Sequence, residues 1–305
     1  MSKSLDRITL LQTFVRIAEA GSISAAARDL NLSQPSASRQ LAELETRFQT
    51  QLMHRTTHSL SLTAAGAALL ADARQLIDSW EALEEKHLAD QTLLRGKISV
   101  VAPIALGQSQ LLDRVLQFQQ QYPQIVLGWH LQDDELRFAE MGCDCWLKIG
   151  PVTDHSLKVE PLGEVERLVV ASPQLLTNYA VIDAPQTLSQ LPFVVLTPFE
   201  GDRIPLFNTR GKQVLVTPVV QMNTNNIMAL HKAALGGLGA AVLPRWFIEE
   251  DLAQQRLIDV LPQWRAAKLT INLVTLPWRY QLQRLRCFLE FLRVEVLQIP
   301  GIQKL

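Results

Sequence analysis

Apolar residues recur at intervals of three and four through the first 48 residues, with breaks at Gly21 and at Asn31-Leu32. Leu11, Phe14, Val15 and Ala18 make one stripe over residues 5–20, which therefore read as a helix ended by Gly21. Ser24 is positioned to cap a short helix, Ala25–Leu30, whose three alanines permit close packing. Asn31-Leu32 is a tight turn. Ser33 then caps a third helix running to about Phe48, with Ala37, Leu41, Leu44 and Phe48 as its buried face.

Helix, short helix, tight turn and helix is the order that sets a third helix in the major groove of DNA. A plain three-helix bundle gives the same pattern. The exposed start of the third helix reads as Gln34, Pro35, Ser36, Ser38, Arg39 and Gln40. Pro35 stands in the first turn, where its missing N–H costs little, and free N–H groups there attract phosphate. Gln and Arg read adenine and guanine edges with two hydrogen bonds, and Ser bonds phosphate or base.

Residues 52–63 read as a β hairpin with Met53, Leu60 and Leu62 inward and Thr57, His58 and Ser59 in the turn. Arg55 on this hairpin is placed to touch the DNA backbone or minor groove. Thr63 can cap a long helix from Ala64 to about Leu94, which Arg95-Gly96 closes. Along it Leu69, Ala73, Leu76, Trp80, Leu83 and His87 alternate steps of four and three, a coiled-coil seam with one polar exception. The seam points to dimerisation; the alternative is a surface helix packed on its own domain.

Charge places any DNA binding in a local patch. The whole chain carries a net charge of −1, whereas residues 1–65 hold seven basic side chains against five acidic ones, a balance of +2. So few cations neutralise few phosphates, and one unit binds weakly. A dimer or tetramer multiplies those contacts.

After Gly96 the pattern changes. KISVVA (97–102) is a strand, 109–121 a helix, 125–131 a strand, 134–141 a helix and 143–149 a strand. That order is the mark of an α/β domain with parallel strands. FVVLT (193–197), VVQM (219–222), GAAVLP (239–244) and KLTINLVTL (268–276) read as further strands. Gly211 sits in a hairpin turn at 208–212, and helices are expected at 224–235, 245–253 and 281–296.

Other signals are weak. Cys143, Cys145 and Cys287 make no disulfide framework and fit a reducing compartment. Cys143 and Cys145 share a strand face and read as core, against a redox or metal role. Gly236-Gly237-Leu238-Gly239 ends a helix instead of opening one, so it is no dinucleotide loop. His54 and His58 read as solvated surface with phosphate contact as the alternative. No nucleophile motif or phosphate-cradling loop is present, so no catalytic residue, cofactor or metal is expected. Asp6 and Arg7 interrupt what would be an apolar leader, and no uncharged apolar stretch is long enough for a membrane span; a soluble cytoplasmic protein is expected.

The run AEAGSISAAARDLNLSQPSASRQLAELETRFQTQLMHRTTHSLSLTAAG closely resembles the helix-turn-helix of LysR-type transcriptional regulators. Further along, KISVVAPIALGQ resembles the first sensing strand and loop of that family. CDCWLKIGPVTDHSLKVEPLG and ALGGLGAAVLPRWFIEEDL resemble its later strand and its Gly-rich helix-to-strand segment. The resemblance implies an N-terminal winged helix-turn-helix, mostly α, over residues 1–63 and a dimerisation helix over 64–95. It implies a sensing domain over 96–305 of two α/β subdomains resembling a periplasmic binding protein. Subdomain I is expected at about 96–164 and 269–298, subdomain II at about 165–268, with crossings near 163–166 and 267–269.

By motif match Ser33, Gln34, Pro35, Ser36, Ser38 and Arg39 face DNA and Arg55 sits on the wing. The family more often has Ala at the place of Ser36 and an aromatic at that of Met53. A small-molecule effector is implied between the subdomains. The aligned wall positions are Pro103, Ile104, Ala105, Ile149, Gly150, Pro151, Thr197, Pro198, Phe199, Asn223, Thr224 and Asn225. They lie at strand ends, where α/β folds bind ligands, but ordinary loop and core roles fit them too. A helix starting at Asn223–Asn225 offers free N–H groups for a small carboxylate. Many relatives carry Ser or Thr where this chain has Ile104-Ala105-Leu106, which favours a more apolar effector or an acid bound elsewhere.

The leading reading is a DNA-binding regulator, dimeric or tetrameric, that answers to a small effector. The alternatives are an α/β enzyme with a helical appendage, which lacks a catalytic constellation, and an exported solute receptor, which lacks a signal.

Overall fold

The computed structural model describes residues 6–55, 60–87, 94–133, 142–197, 199–201, 203–277 and 282–305. The chain divides into two compact units. Of the described residues, the first takes in those up to 96 with 142–143 and 282–287, and the second takes in the rest.

The first unit opens with α1 (Arg7–Ala20), α2 (Ile23–Asp29) and α3 (Gln34–Phe48). Gly21 ends α1 in the left-handed conformation, as its missing Cβ allows. Ser22, not Ser24, caps α2: its backbone is extended and its hydroxyl accepts from the Ala25 N–H. Asn31 turns the chain through φ +52, and the Leu32 N–H donates back to the Ala27 carbonyl at 2.8 Å.

A hairpin follows, β1 (Met53–Arg55) against β2 (Leu60–Leu62), with Met53 opposite Leu62. The expected turn residues Thr57, His58 and Ser59 lie outside the described residues. Glu45 of α3 holds the hairpin's base, its carboxylate accepting from the Leu52 and Met53 N–H groups. Thr63 caps α4 (Ala64–His87) by accepting from the Gly66 N–H at 2.9 Å. Leu10, Phe14, Ile17, Leu41, Leu44, Leu52 and Met53 form one core with Leu70, Ala73 and Ile77 of α4.

Two expectations fail here. Phe48 is 51% exposed: it is the last helical residue, and Gln49 after it enters the left-handed region and ends the helix. Gln40 is buried, where its side-chain carbonyl accepts from the Thr13 hydroxyl.

The second unit contains a six-stranded sheet. Its members are β3 (Gly96–Ala102), β4 (Ile125–Leu131), β5 (Cys145–Ile149), β6 (Lys158–Val165), β15 (Leu269–Thr275) and β16 (Ile302–Gln303). They lie in the order β16-β6-β15-β5-β3-β4. The sheet is mixed, which corrects the expectation of parallel strands. β3 and β5 run parallel, but β15 lies antiparallel to both β5 and β6. A helical run fills the step from β3 to β4: Ile104–Leu106, a π turn at Gly107–Leu111, then Leu112–Gln121. This run begins earlier than Ser109. Its Phe118 meets Phe288 of the helix Gln283–Leu297 edge to face at 5.0 Å. The helix expected at 134–141 lies outside the described residues.

Between β6 and β15 the chain builds smaller sheets. β7 (Arg167–Ala171) lies between β12 (Ala241–Pro244) and β13 (Ile258–Asp259). β8 (Pro192–Leu196) pairs parallel with β11 (Val219–Thr224). β9 (Ile204–Asn208) lies between β10 (Gln213–Val216) and β14 (Trp264–Ala266). One core gathers Val169, Leu191, Phe193, Leu206 and Val242; a second packs Leu168, Val194, Leu243 and Ile248 under the helix Ile227–Leu235 through Leu230 and Ala234.

Candidate DNA interface and effector cleft

The start of α3 presents a polar edge. Ser33 has extended backbone and caps the helix by accepting from the Ser36 N–H at 3.3 Å; the two serine hydroxyls lie 2.8 Å apart. Such a cap is worth about 1 kcal/mol and fixes where the helix begins. Ser33, Gln34, Pro35 and Arg39 are exposed, and Ser36 and Ser38 are half-buried. Gln40 leaves the edge for the core, as described. Arg55 ends β1 opposite Leu60, and its side chain lies outside the described set.

The arginines of this unit fall into two groups. Arg16 bonds Asp29 and Glu19, Arg47 bonds Glu43, and Arg74 bonds Glu19. Among the described residues nothing engages Arg7, Arg28 or Arg39, and all three are exposed. An unpaired exposed guanidinium is free to meet phosphate or a guanine edge. Arg28 does not stand out in the sequence; only the pairing of its neighbours separates it from Arg16 and Arg47.

On α4 the seam divides. Ala73 is buried and Leu69 half-buried in the core of their own unit, whereas Leu76, Trp80 and Leu83 are 51%, 45% and 49% exposed. These three large apolar side chains at steps of four and three remain open. His87 closes α4, and its side chain lies outside the described set.

The residues expected at the cleft wall stand at strand ends. Pro103 and Ile104 are half-buried after β3, and Ala105 is buried. The Ile104 N–H donates to the Asp133 carboxylate at 2.9 Å, so a carboxylate already sits at this helix start. Ile149 ends β5, Gly150 is buried and Pro151 exposed. Gly150 has φ +90, and a Cβ there would lie 2.9 Å from Cε1 of Phe199. The ring of Phe199 therefore lies directly on the Gly150 backbone. That backbone is itself held: its N–H donates to the Thr270 carbonyl, and its carbonyl accepts from the Asn272 amide, both at 2.8 Å.

Thr197 is exposed and its hydroxyl donates to the Thr224 carbonyl at 3.3 Å; Pro198 lies outside the described residues. Asn223 and Asn225 are exposed and Thr224 half-buried. The following helix starts at Ile227, later than the sequence suggests, with Asn226 as cap. The Asn226 side chain accepts from the Met228 and Ala229 N–H groups at 3.0 and 3.1 Å, and the Thr224 hydroxyl accepts from the Asn226 N–H. The Asn226, Met228 and Ala229 N–H groups are thus engaged within the chain.

One buried ion pair adjoins the Phe199 turn. Arg167 at the start of β7 bonds Glu200 and also the Ala267 carbonyl, and Glu200 accepts from the Leu196 N–H. Burial pushes the Glu200 carboxyl above its usual range and the Arg167 guanidinium below its own, against their mutual attraction. Elsewhere, a hollow of about 490 Å³ is lined by Leu168, Arg245, Leu252, Gln255, Leu257, Ile258 and Asp259 and shares no residue with the wall. Cys143 and Cys145 are both buried, and among the described residues no His, Cys, Asp and Glu group could hold a metal ion. No helix of the described residues is long and apolar enough to cross a membrane.

Two family models match the sequence. Residues 8–67 match "Bacterial regulatory helix-turn-helix protein, lysR family", and residues 91–296 match "LysR substrate binding domain". The chain is 31% identical over 295 residues to the uncharacterized HTH-type transcriptional regulator YhjC of Escherichia coli (strain K12), covering 94% of this chain and 97% of the relative. It is 27% identical to the HTH-type transcriptional regulator CrgA of Neisseria meningitidis serogroup B, covering 94% and 96%. Among solved structures, that of CrgA, described as a LysR-type transcriptional regulator, aligns with a TM-score of 0.56 at 26% identity, covering 96% of this chain and 99% of that one. A full-length variant of OxyR from Pseudomonas aeruginosa aligns with a TM-score of 0.74 at 17% identity, covering 98% and 97%, a likeness of fold.

Proposed function

The chain belongs to the LysR family of transcriptional regulators, and from that premise we propose which of its residues read DNA and which receive the effector. It is a DNA-binding regulator with an N-terminal helix-turn-helix and an effector-binding α/β domain, and the enzyme alternative has no support. Ser33, Gln34, Pro35, Ser36, Ser38 and Arg39 face the major groove, with Arg55 on the wing and Arg28 on phosphate. The observation that carries this reading is Arg39: exposed, unengaged among the described residues, and one turn behind the capped start of α3.

The open stripe Leu76, Trp80 and Leu83 supports a homodimer through α4, with a tetramer as a further step. We divide the chain into 1–63, 64–95 and 96–305, with subdomain I at about 96–164 and 269–298 and subdomain II at about 165–268. The effector lies against the strand ends at Pro103–Ala105, Ile149–Pro151, 197–199 and Asn223–Asn225. It shifts how the subdomains pack, and so the spacing of the paired α3 helices, only as far as it binds one arrangement better than the other. The protein works in the cytoplasm, where its DNA is.

A fluorescence-anisotropy titration of the purified protein with duplex from its own upstream region tests the reading. Tight, salt-dependent binding that an unrelated duplex does not match is expected. Equal affinity for both duplexes at all salt concentrations overturns it.

A further inference from the structure

We propose that the effector cleft takes an uncharged molecule with a planar apolar ring, stacked on Phe199, and not a small carboxylate. This rests on the cleft reading above. The twelve wall residues include no charged side chain. Both helix starts at the wall already carry an acceptor from within the chain. The Asp133 carboxylate receives the Ile104 N–H, and the Asn226 amide oxygen receives the Met228 and Ala229 N–H groups. A carboxylate at the first start would meet the negative charge of Asp133. At the second it would have to displace a cap with two hydrogen bonds. The ion pair beside the wall, Arg167 with Glu200, is buried and closed on itself.

What the wall does offer is flat and apolar. Phe199 lies on the Gly150 backbone, whose N–H and carbonyl are both engaged and so present no unmet polarity. Pro103, Ile104, Ile149 and Pro151 lie at the neighbouring strand ends and add apolar surface. Exposed Asn223 and Asn225 supply neutral donors and acceptors. A ring bearing an amide or hydroxyl group matches that set: its face takes the place beside Phe199 and its polar group meets an asparagine.

Matched probes test this on the full-length protein by isothermal titration calorimetry: benzamide against benzoate, and 2-naphthol against 2-naphthoate. The neutral member of each pair is expected to bind at least about tenfold tighter. Phe199→Leu, at a half-buried position, is expected to keep the fold and duplex binding while losing about tenfold for the neutral probe. Gly150→Ala pushes the ring away and strains the backbone at φ +90; it is expected to weaken the neutral probe as well, with circular dichroism to check that the fold is kept. Tighter binding of the carboxylates overturns the neutral-ring proposal and leaves the cleft standing. So does neutral binding that ignores both variants. If no probe binds while the upstream duplex still does, the proposal falls and the regulator reading survives; loss of duplex recognition in the same preparation removes both.

Discussion

Arg167 and Glu200 face each other with side chains only 6% and 3% exposed. Arg167 also donates to the Ala267 carbonyl at 2.7 Å. Arg167 opens β7 just after β6, and Ala267 lies between β14 and β15. One guanidinium therefore joins these two connections of the large sheet to the turn that carries Phe199.

Breaking such a pair leaves a buried charge alone. Arg167→Met or Glu200→Gln is expected to cost about 3–5 kcal/mol, whereas the joint replacement by Met and Leu is expected to be close to neutral. Urea unfolding of the three variants measures this. Two single variants each costing less than about 1 kcal/mol would show that the pair is not desolvated as described.

Arg39 and Arg28 are expected to differ in kind. Arg39→Ala should cost about 1–3 kcal/mol on the cognate duplex and little on an unrelated one, the sign of base reading. Arg28→Ala should weaken both duplexes alike and lower the salt slope by about 1, the sign of a phosphate contact. Anisotropy titrations at several salt concentrations separate the two, with circular dichroism to check the fold.

Trp80→Glu places a charge in the open stripe of α4. Analytical ultracentrifugation is expected to show the protein as monomer where the parent is dimer, with the helical signal unchanged. A parent that sediments as monomer at all concentrations would remove the dimer proposal.

Gln49 holds φ +51, a region where a Cβ is strained. Gln49→Gly is expected to raise stability by about 1 kcal/mol, seen as a higher thermal midpoint of the N-terminal unit. A lower midpoint would mean that the Gln49 side chain holds a contact worth more than the strain.

Glu160 accepts two hydrogen bonds from Arg293, at 2.7 and 2.9 Å, and this holds its carboxyl below the usual range. The native state then takes up a proton later than the unfolded chain does. Stability from the pair is therefore complete above about pH 4.3 and lost as pH falls through the lower native value. Glu160→Gln is expected to flatten that part of the acid limb in urea midpoints measured across pH. An unchanged acid limb would count the pair as solvent-screened.

Much of the N-terminal unit is legible in the sequence because its determinants are local. Ser33, Pro35 and Thr63 act within one turn of themselves, and each stands where the chemistry of a helix start requires it. The misreadings arise from partners far along the chain. Gln40 reads as surface until Thr13, 27 residues away, meets it in the core. Ser22 and Ser24 flank Ile23 as equally good caps, and only the extended backbone at Ser22 decides between them. β6 contains Pro161 and Gly163 and shows no clean alternation; it becomes a strand because β15 and β16 pair with it from either side. The late helix start at Ile227 is likewise set by the Thr224 hydroxyl and Asn226 amide acting together, a hydrogen-bond pattern that composition does not display.

β15 lies between β6 and β5, although it is made more than a hundred residues after either. During synthesis the large sheet must wait with its centre missing. The β7–β14 segment between its halves is continuous and emerges first, so it is free to fold while β3 to β6 still expose unpaired edges to neighbouring nascent chains. A truncation that removes β15 thus takes out the sheet's middle, not a dispensable tail, and leaves an aggregation-prone remnant.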